Sequence, residues 1–210
     1  MTGRTDRTAL DDSSRRRPVF VITGTSGEGK STLAKRLLER MPELELAISA
    51  TTRARRPGEV DGRDYWFSSR EEFDRRLASG EFLEYIDLPW GEGHRSGTLW
   101  SELDRIAADG RAPLLELETN GARAVRERVP GSVTIFVTAP SFDELERRLR
   151  ARGTETPGEI EERIAAAREQ LAHAGEFHYR VVNDDLGRAV GELQGIVERE
   201  LETAGTISRP

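Results

Sequence analysis

Short apolar runs alternate along the chain with stretches in which apolar residues recur every three or four positions. The runs predict strands over Val19–Thr23, Leu44–Ile48, Pro113–Leu117, Val133–Val137 and Tyr179–Val182. The helical spacing predicts helices over Ser31–Arg40, Thr98–Ala108, Gly121–Arg128, Phe142–Arg152, Glu159–His173 and Leu186–Glu202. Capping-box patterns at Ser69–Glu72 and Ser141–Glu144 support two helix starts. This alternation favours an α/β fold in three layers, with a parallel five-stranded sheet between helices.

The alternation breaks twice, which predicts two insertions into the core. Over 53–97, short strands at Asp64–Phe67 and Phe82–Ile86 flank a helix at Glu71–Ala78, which indicates a small mixed α/β lobe. An Arg/Glu-rich segment over 151–176 indicates a helical lid. The core then comprises 18–52, 98–150 and 177–204, so that 18–204 form one domain. Residues 1–17 are expected to be a disordered leader and 205–210 a flexible tail.

Composition excludes several classes of protein. The 210 residues are 36% hydrophobic and 33% charged, as in a globular domain, and no apolar run approaches the roughly 20 residues of a membrane span. Without cysteine there are no disulfides or thiolate metal sites. A net charge of −6 is a poor match to nucleic acid. The polar N-terminus has no export signal, so a cytoplasmic location is expected.

Directly after the first apolar run, the chain reads GTSGEGKS, which matches the phosphate-binding pattern G-x-x-x-x-G-K-[ST]. Backbone N–H groups of such a loop converge on an anion at a helix N-terminus, and a P-loop NTPase fold is therefore predicted. Lys30 would contact the β- and γ-phosphates of ATP, and the Ser31 hydroxyl would ligate Mg²⁺. The predicted ATP-binding residues are Gly24, Thr25, Ser26, Gly27, Glu28, Gly29, Lys30, Ser31 and Thr32. A glycine-rich turn without function is the alternative, and the motif alone does not identify the reaction.

Lysine usage supports this interpretation of the loop. Of the 32 basic residues, only Lys30 and Lys35 are lysines, and the rest are arginines. A compact ammonium among phosphate oxygens is a role in which a planar guanidinium is a poor substitute. The position of Lys30 therefore favours a phosphate site over a simple turn.

The segments SATTRARRPGEVDGRDYWFSSREEF and GEFLEY resemble the guanylate kinase family, and the resemblance extends from about Pro18 to Glu202. It implies Mg²⁺-dependent transfer of the γ-phosphate of ATP to GMP. Arg53, Arg56 and Tyr65 match the family's residues that hold the acceptor's phosphate, a role that suits charge-assisted hydrogen bonds. Ser49 and Glu84 match those that read guanine. A solvated basic loop is the alternative for the arginines.

Later residues extend the resemblance. Arg148, Arg152 and Arg163 match the family's lid arginines, which with Lys30 form the predicted catalytic set and stabilise charge on the transferring group. Salt bridges to glutamates on the same helices are the alternative. Asn183, in VVNDD, matches a residue near the donor's adenine, although Asn-Asp is also common in turns.

Two departures from the family pattern fall in the acceptor site. Matching Gly97-Thr98 to the family places Ser96 where a tyrosine normally contacts the acceptor's phosphate, and the loop before it is about three residues longer. Glu118 stands where aspartate is usual, which extends the side chain by roughly 1.5 Å. Ser96, Thr98 and Glu118 complete the predicted acceptor-binding residues. Trp90, His94 and Arg95 on the longer loop are candidates to fill the space of the tyrosine.

The prediction is therefore a nucleoside monophosphate kinase for GMP or a GMP-like acceptor. Because of the departures, a modified nucleotide, a phosphonate analogue or a sugar phosphate remains an alternative acceptor. A non-catalytic guanylate-kinase-like binding module is less favoured, because Lys30 and the lid arginines are present. The expected partners are small nucleotides, with no nucleic acid and no membrane, and the chain is expected to be a monomer or a homodimer.

Overall fold

The computed structural model describes residues 17–88, 93–151 and 157–207. Their strands are β1 (Phe20–Gly24), β2 (Leu44–Leu46), β3 (Ala50–Thr51), β4 (Trp66–Phe67), β5 (Phe82–Leu88), β6 (His94–Leu99), β7 (Ala112–Glu116), β8 (Val133–Thr138) and β9 (Tyr179–Val182). Their α-helices are α1 (Lys30–Arg40), α2 (Arg70–Ala78), α3 (Trp100–Ala108), α4 (Thr119–Arg128), α5 (Phe142–Ala151), α6 (Pro157–Ala172) and α7 (Leu186–Ile207). A 3₁₀ helix, Ala174–Glu176, follows α6.

The larger sheet has five strands in the order β2-β7-β1-β8-β9, and every pairing in it is parallel. Parallel strands are covered by helices on both faces, so their sequences are apolar at successive positions rather than alternating. β1 has this character, since all five of its residues are buried. The predicted three-layer α/β fold is confirmed.

Two apolar layers hold the helices against this sheet. On one face, α1 and α7 pack on alternate residues of β1 and its neighbours through Phe20, Ile22, Leu33, Leu37 and Leu193. On the other face, α3 and α4 pack through Val21, Leu103, Ile106, Val125 and Phe136. Full burial of each such side chain stabilises the fold by about 1.5–3 kcal/mol, which fixes β1 and the loop that follows it.

The smaller sheet has the order β4-β3-β6-β5 and mixes one parallel pairing, β3 with β4, with antiparallel pairings. One of its faces packs against α2 through Ala50, Phe73, Phe82 and Leu99. The Ser69 hydroxyl accepts a hydrogen bond from the Glu72 amide at the start of α2, as the capping box predicts. The opposite face is left to line a cavity.

Several element boundaries differ from the sequence predictions, and three of the differences concern the smaller sheet and the ends of helices. The helix predicted from Thr98 begins at Trp100, because Thr98 pairs with Glu84 in the smaller sheet and this pairing outweighs the helical pattern. The smaller sheet starts at Ala50 and ends at Leu99, so it extends beyond 53–97 at both ends. The last helix continues to Ile207 rather than ending at Glu202, since no proline interrupts it.

No helix in the described ranges is both long and apolar enough to span a bilayer.

Candidate active site

The phosphate-binding loop follows β1 and ends at the N-terminus of α1. Gly24 has φ 145°, and a Cβ there would overlap the Val137 carbonyl oxygen. Gly29 has φ 79°, in the left-handed region, and a Cβ there would lie 2.8 Å from the Asn183 Nδ2 atom. Both glycines are therefore required by the path of the loop. The loop presents the first N–H groups of α1, where the helix dipole favours an anion.

Lys30 is buried at the start of α1, with 8% of the residue's surface exposed. Its ammonium donates to the carbonyl oxygens of Gly24 and Thr25, at 2.8 and 2.9 Å. These uncharged acceptors hold the ammonium inside the loop without neutralising its charge. Lys30 is thus placed to contact a phosphate that enters the loop.

The Ser31 hydroxyl donates to the Glu116 carboxylate at 2.6 Å, across 85 positions of sequence. The two residues meet because β1 and β7 are neighbours in the sheet, and Glu116 ends β7. Hydroxyl and carboxylate oxygens are ligands that Mg²⁺ prefers, so this pair fits the predicted ion. The described residues contain no group of three or more His, Cys, Asp or Glu side chains placed to hold a metal. A site with one hydroxyl and one carboxylate suits Mg²⁺, because this ion retains several bound waters and also binds substrate phosphates.

Asn183 connects the phosphate-binding loop to helix α5. It follows β9, and its amide donates to the Glu28 carbonyl oxygen at 2.7 Å. Its own carbonyl accepts from the Arg148 guanidinium at 3.1 Å. Arg148 also donates to Glu144 at 2.7 Å, so the predicted lid arginine makes the i,i+4 salt bridge that was its alternative role.

Glu28, one of the predicted ATP-binding residues, is a carboxylate inside the loop. It is fully buried, and the Thr25 hydroxyl donates to its Oε1 atom at 2.7 Å. Burial raises the pKa of Glu28, and the Thr25 hydrogen bond and the charges of Arg148 and Lys30 oppose this effect. Its position next to the loop glycines was visible in the sequence, but its burial was not.

A cavity of about 170 Å³ lies between the phosphate-binding loop and the smaller sheet. It is lined by residues from both sides: Lys30, Ser49, Tyr65, Glu84, Ile86, Ser96, Gly97, Glu116, Leu117, Glu118 and Gly121. The structure thus brings five of the predicted acceptor-binding residues together with the predicted catalytic lysine. Glu118 is the residue directly before α4, and Gly121 lies in the first turn of that helix.

Glu84 forms the buried wall of this cavity, with 4% of its area exposed. Its Oε1 atom accepts a hydrogen bond from the Thr98 hydroxyl at 2.7 Å, so the predicted residue Thr98 contributes to the site by contacting Glu84. Its Oε2 atom lies near Gly121, where an added Cβ would come within 2.8 Å of it. Burial raises the pKa of Glu84, opposed by hydrogen bonds from Thr98.

Arg53, Arg56 and Tyr65 lie close together at the edge of the cavity. The Arg53 guanidinium binds the Glu59 carboxylate through two nitrogens, at 2.7 and 3.1 Å, and lies 5.2 Å from the centre of the Tyr65 ring. The Arg56 amide donates to the same carboxylate at 2.7 Å, while its side chain is exposed. Glu59, which the sequence analysis missed, therefore organises the basic loop.

The remaining predicted residues are not among those that line the cavity. Ser26 is half-buried and Thr32 exposed in the loop and the first turn of α1. Arg163 is half-buried on α6, which packs against α5 through Leu145, Leu149 and Ile164. Arg152 and Trp90 lie outside the described residues. Arg95 forms salt bridges to Asp74 and to Asp87, so its side chain is not directed at the cavity as one alternative required.

Comparison with known proteins agrees with this geometry. The sequence model of the family described as Guanylate kinase matches residues 15–200. A guanylate kinase of Symbiobacterium thermophilum is 43% identical over 182 residues, covering 87% of this chain and 85% of that protein. One of Rubrobacter xylanophilus is 45% identical over 185 residues, covering 88% and 95%.

Among solved structures, guanylate kinase from Anaplasma phagocytophilum superposes with a TM-score of 0.69 at 29% identity, covering 88% of this chain and 86% of that one. Sequence and fold therefore agree over the same part of the chain, and the prediction of a nucleoside monophosphate kinase is confirmed. The chain belongs to the guanylate kinase family.

Proposed function

We propose that the protein phosphorylates GMP with ATP, giving GDP and ADP, and that the two nucleotides meet across the cavity. The observation that carries this proposal is the joint lining of one cavity by Lys30 and Glu116 from the donor side and by Tyr65 and Glu84 from the acceptor side. A kinase of this kind needs its two substrates in line at short range, and little covalent chemistry from the protein.

On the donor side, the loop amides and Lys30 hold the phosphates of ATP. Ser31, supported by Glu116, supplies the protein oxygen for Mg²⁺, an ion that neutralises phosphate charge when bound. Arg148 and Arg163, on the packed helices α5 and α6, supply further positive charge when the lid closes. Arg152 has the same proposed role.

On the acceptor side, Glu84 accepts hydrogen bonds from guanine, and Ser49 contributes a hydroxyl. Guanine presents N1–H and the N2 amine side by side, which suits a carboxylate with one oxygen still free of Thr98. Arg53, Arg56 and Tyr65 hold the acceptor's phosphate. The Arg53 guanidinium rests on Glu59 and on the Tyr65 ring, and a phosphate dianion competes with Glu59 for it.

A different acceptor on the same fold is the second candidate, because Ser96 and Glu118 line the cavity in place of the family's usual residues. An assay of ADP release across nucleoside monophosphates, with a phosphonate analogue of GMP and a sugar phosphate, separates the two. We expect GMP to have the highest kcat/KM. Activity on GMP that is weaker than on another member of the panel would overturn the assignment of the acceptor.

A further inference from the structure

We infer that His94 binds the acceptor's phosphate beside Arg53 and Arg56, and so helps to set the affinity for GMP. This inference rests on the proposed function, because it assigns a further residue to the acceptor side of the same cavity. His94 begins β6, at the edge of the longer loop that distinguishes this chain.

The alternation of side chains along β6 places His94 on the face that lines the cavity. Thr98 bonds to Glu84 there, and Ser96, two residues earlier, lines the cavity wall. Side chains of a strand point to one face at every second position, so His94 follows Ser96 on this face. Arg95 lies on the other face, where it pairs with Asp74 and Asp87.

The register of β3 with β6, continued past the end of β3, brings His94 near Arg53. Thr51 is the register partner of Ser96, and the Thr52 amide donates to the Arg95 carbonyl oxygen at 3.0 Å, which continues the pairing by one residue. Extended by one more residue, the same antiparallel register brings Arg53 opposite His94, and the Arg53 charge does act on that ring. Residues directly opposite in such a pair have Cβ atoms about 4.5–5.5 Å apart.

The His94 ring is half-buried and makes no hydrogen bond to any of the described residues. Its partner on β5, Leu88, carries no charge, and Asp87 next to it faces the other way, toward Arg95. The charged groups that act on the ring from the neighbouring loop are Arg53 and Arg56, and Arg53 itself contacts Glu59 and Tyr65. The ring is therefore uncommitted and set in positive surroundings.

Burial, together with the positive charges of Arg53 and Arg56, lowers the pKa of His94 below that of an ordinary histidine. The free enzyme thus holds a neutral imidazole at neutral pH, with one N–H available to a phosphate oxygen. A phosphate dianion bound beside the ring favours its protonated form. The pKa of His94 then rises on binding, and the complex takes up a proton that the free enzyme lacked.

Steady-state kinetics of His94→Ala and His94→Gln test the inference. We expect His94→Ala to raise KM for GMP about tenfold, the effect of losing one hydrogen bond to a charged group, and to leave KM for ATP within about twofold. His94→Gln keeps an N–H donor and should recover most of the affinity. His173→Gln is the matched control, since His173 is partly exposed and pairs with Glu176, outside the residues that line the cavity.

Calorimetry of GMP binding measures proton uptake, which would not change if His94 only supported the fold. Titrations in two buffers of different ionisation enthalpy give the number of protons taken up per GMP bound. The wild type should take up more protons than His94→Gln near pH 7, and since the phosphate's own protonation is common to both proteins, the difference reports the imidazole.

Two results would overturn the inference. One is an unchanged KM for GMP in His94→Ala, with thermal melting like that of the wild type. The other is equal proton uptake by the wild type and His94→Gln. If the wild type bound and phosphorylated no GMP at all, the proposed function would fail instead, so the two failures are distinct. Should His94→Ala fail to fold, His94→Gln and the calorimetric comparison still decide.

Discussion

Substitution of Glu84 by glutamine separates guanine recognition from folding, because the two effects have opposite signs. Glutamine has nearly the same shape as glutamate, so the substitution changes charge and hydrogen bonding rather than packing. One oxygen of Glu84 already accepts a hydrogen bond from the Thr98 hydroxyl at 2.7 Å. A carboxylate offers two acceptor oxygens, whereas the amide offers one oxygen and one N–H₂ donor. Whichever way the amide is turned, one of the two guanine donors loses its acceptor.

The magnitude follows from the burial of the site. Glu84 has 4% of its area exposed, so water cannot readily replace a lost hydrogen bond there. A hydrogen bond to a charged group contributes about 1.5–3 kcal/mol, and an unpaired buried donor costs a similar amount. We expect a total near 3 kcal/mol in transition-state binding, or roughly 100-fold in kcat/KM for GMP.

The thermal stability of Glu84→Gln should change in the opposite direction from its activity: it should be equal to or higher than that of the wild type at neutral pH. Burial raises the pKa of Glu84, so the folded state favours the protonated carboxyl, and its stabilising contribution is lost as pH rises through the folded pKa. Glutamine cannot ionise. The variant should therefore melt at the same temperature as the wild type below about pH 4, and at an equal or higher temperature at neutral pH.

The measurements are kcat/KM for GMP by ADP release and thermal melting between acid and neutral pH. Glu81→Gln is the matched control in the same lobe. Glu81 is half-buried at the surface, and its carboxylate makes a long ion pair with Arg75, at 3.8 Å. A Glu84→Gln enzyme with kcat/KM within about threefold of the wild type would refute guanine recognition by this carboxylate. A lower melting temperature at neutral pH would refute the account of its burial.

Three further substitutions test the donor side. Lys30→Ala should lower kcat by about 10²–10³-fold or more while circular dichroism stays that of the wild type; an enzyme that keeps its turnover would contradict the assignment. Ser31→Ala removes the hydroxyl that donates to Glu116, and it should raise the Mg²⁺ concentration for half-maximal rate several-fold with little change in KM for GMP. Asn183→Ala removes the amide that donates to the Glu28 carbonyl oxygen, and it should raise KM for ATP by about tenfold; an unchanged value would show that this contact does not order the loop.

Local patterns in the sequence were enough for the elements that depend on nearby residues. The capping serines Ser69 and Ser141 each accept the amide three residues later, as predicted. The phosphate-binding loop is also local, because its path depends on glycines and on the strand and helix that flank it. The alternation of strands and helices then predicted the parallel sheet correctly, since parallel strands need crossover connections.

Long-range pairings decided the rest. Thr98 was predicted to be helical, yet the pairing of β6 with β5 places it in a strand beside Glu84. The contact between Ser31 and Glu116 depends on the order of strands in the sheet, which no local pattern encodes. The roles of Arg95 and His94 were open in the sequence because a shift of one residue in strand register exchanges the two faces of the sheet.

The sequence by itself thus determined which side chains are available: a lysine in a phosphate-binding loop, and two arginines, a tyrosine and a carboxylate for which the family resemblance predicts a second phosphate and guanine. These depend on residue type and on spacings within single segments. Only the tertiary structure decided which side chains face the cavity, because that depends on strand order and register, which arise when segments distant in sequence pack together. It directs Arg95 away toward Asp74 and Asp87, and it brings His94 within the influence of the Arg53 charge.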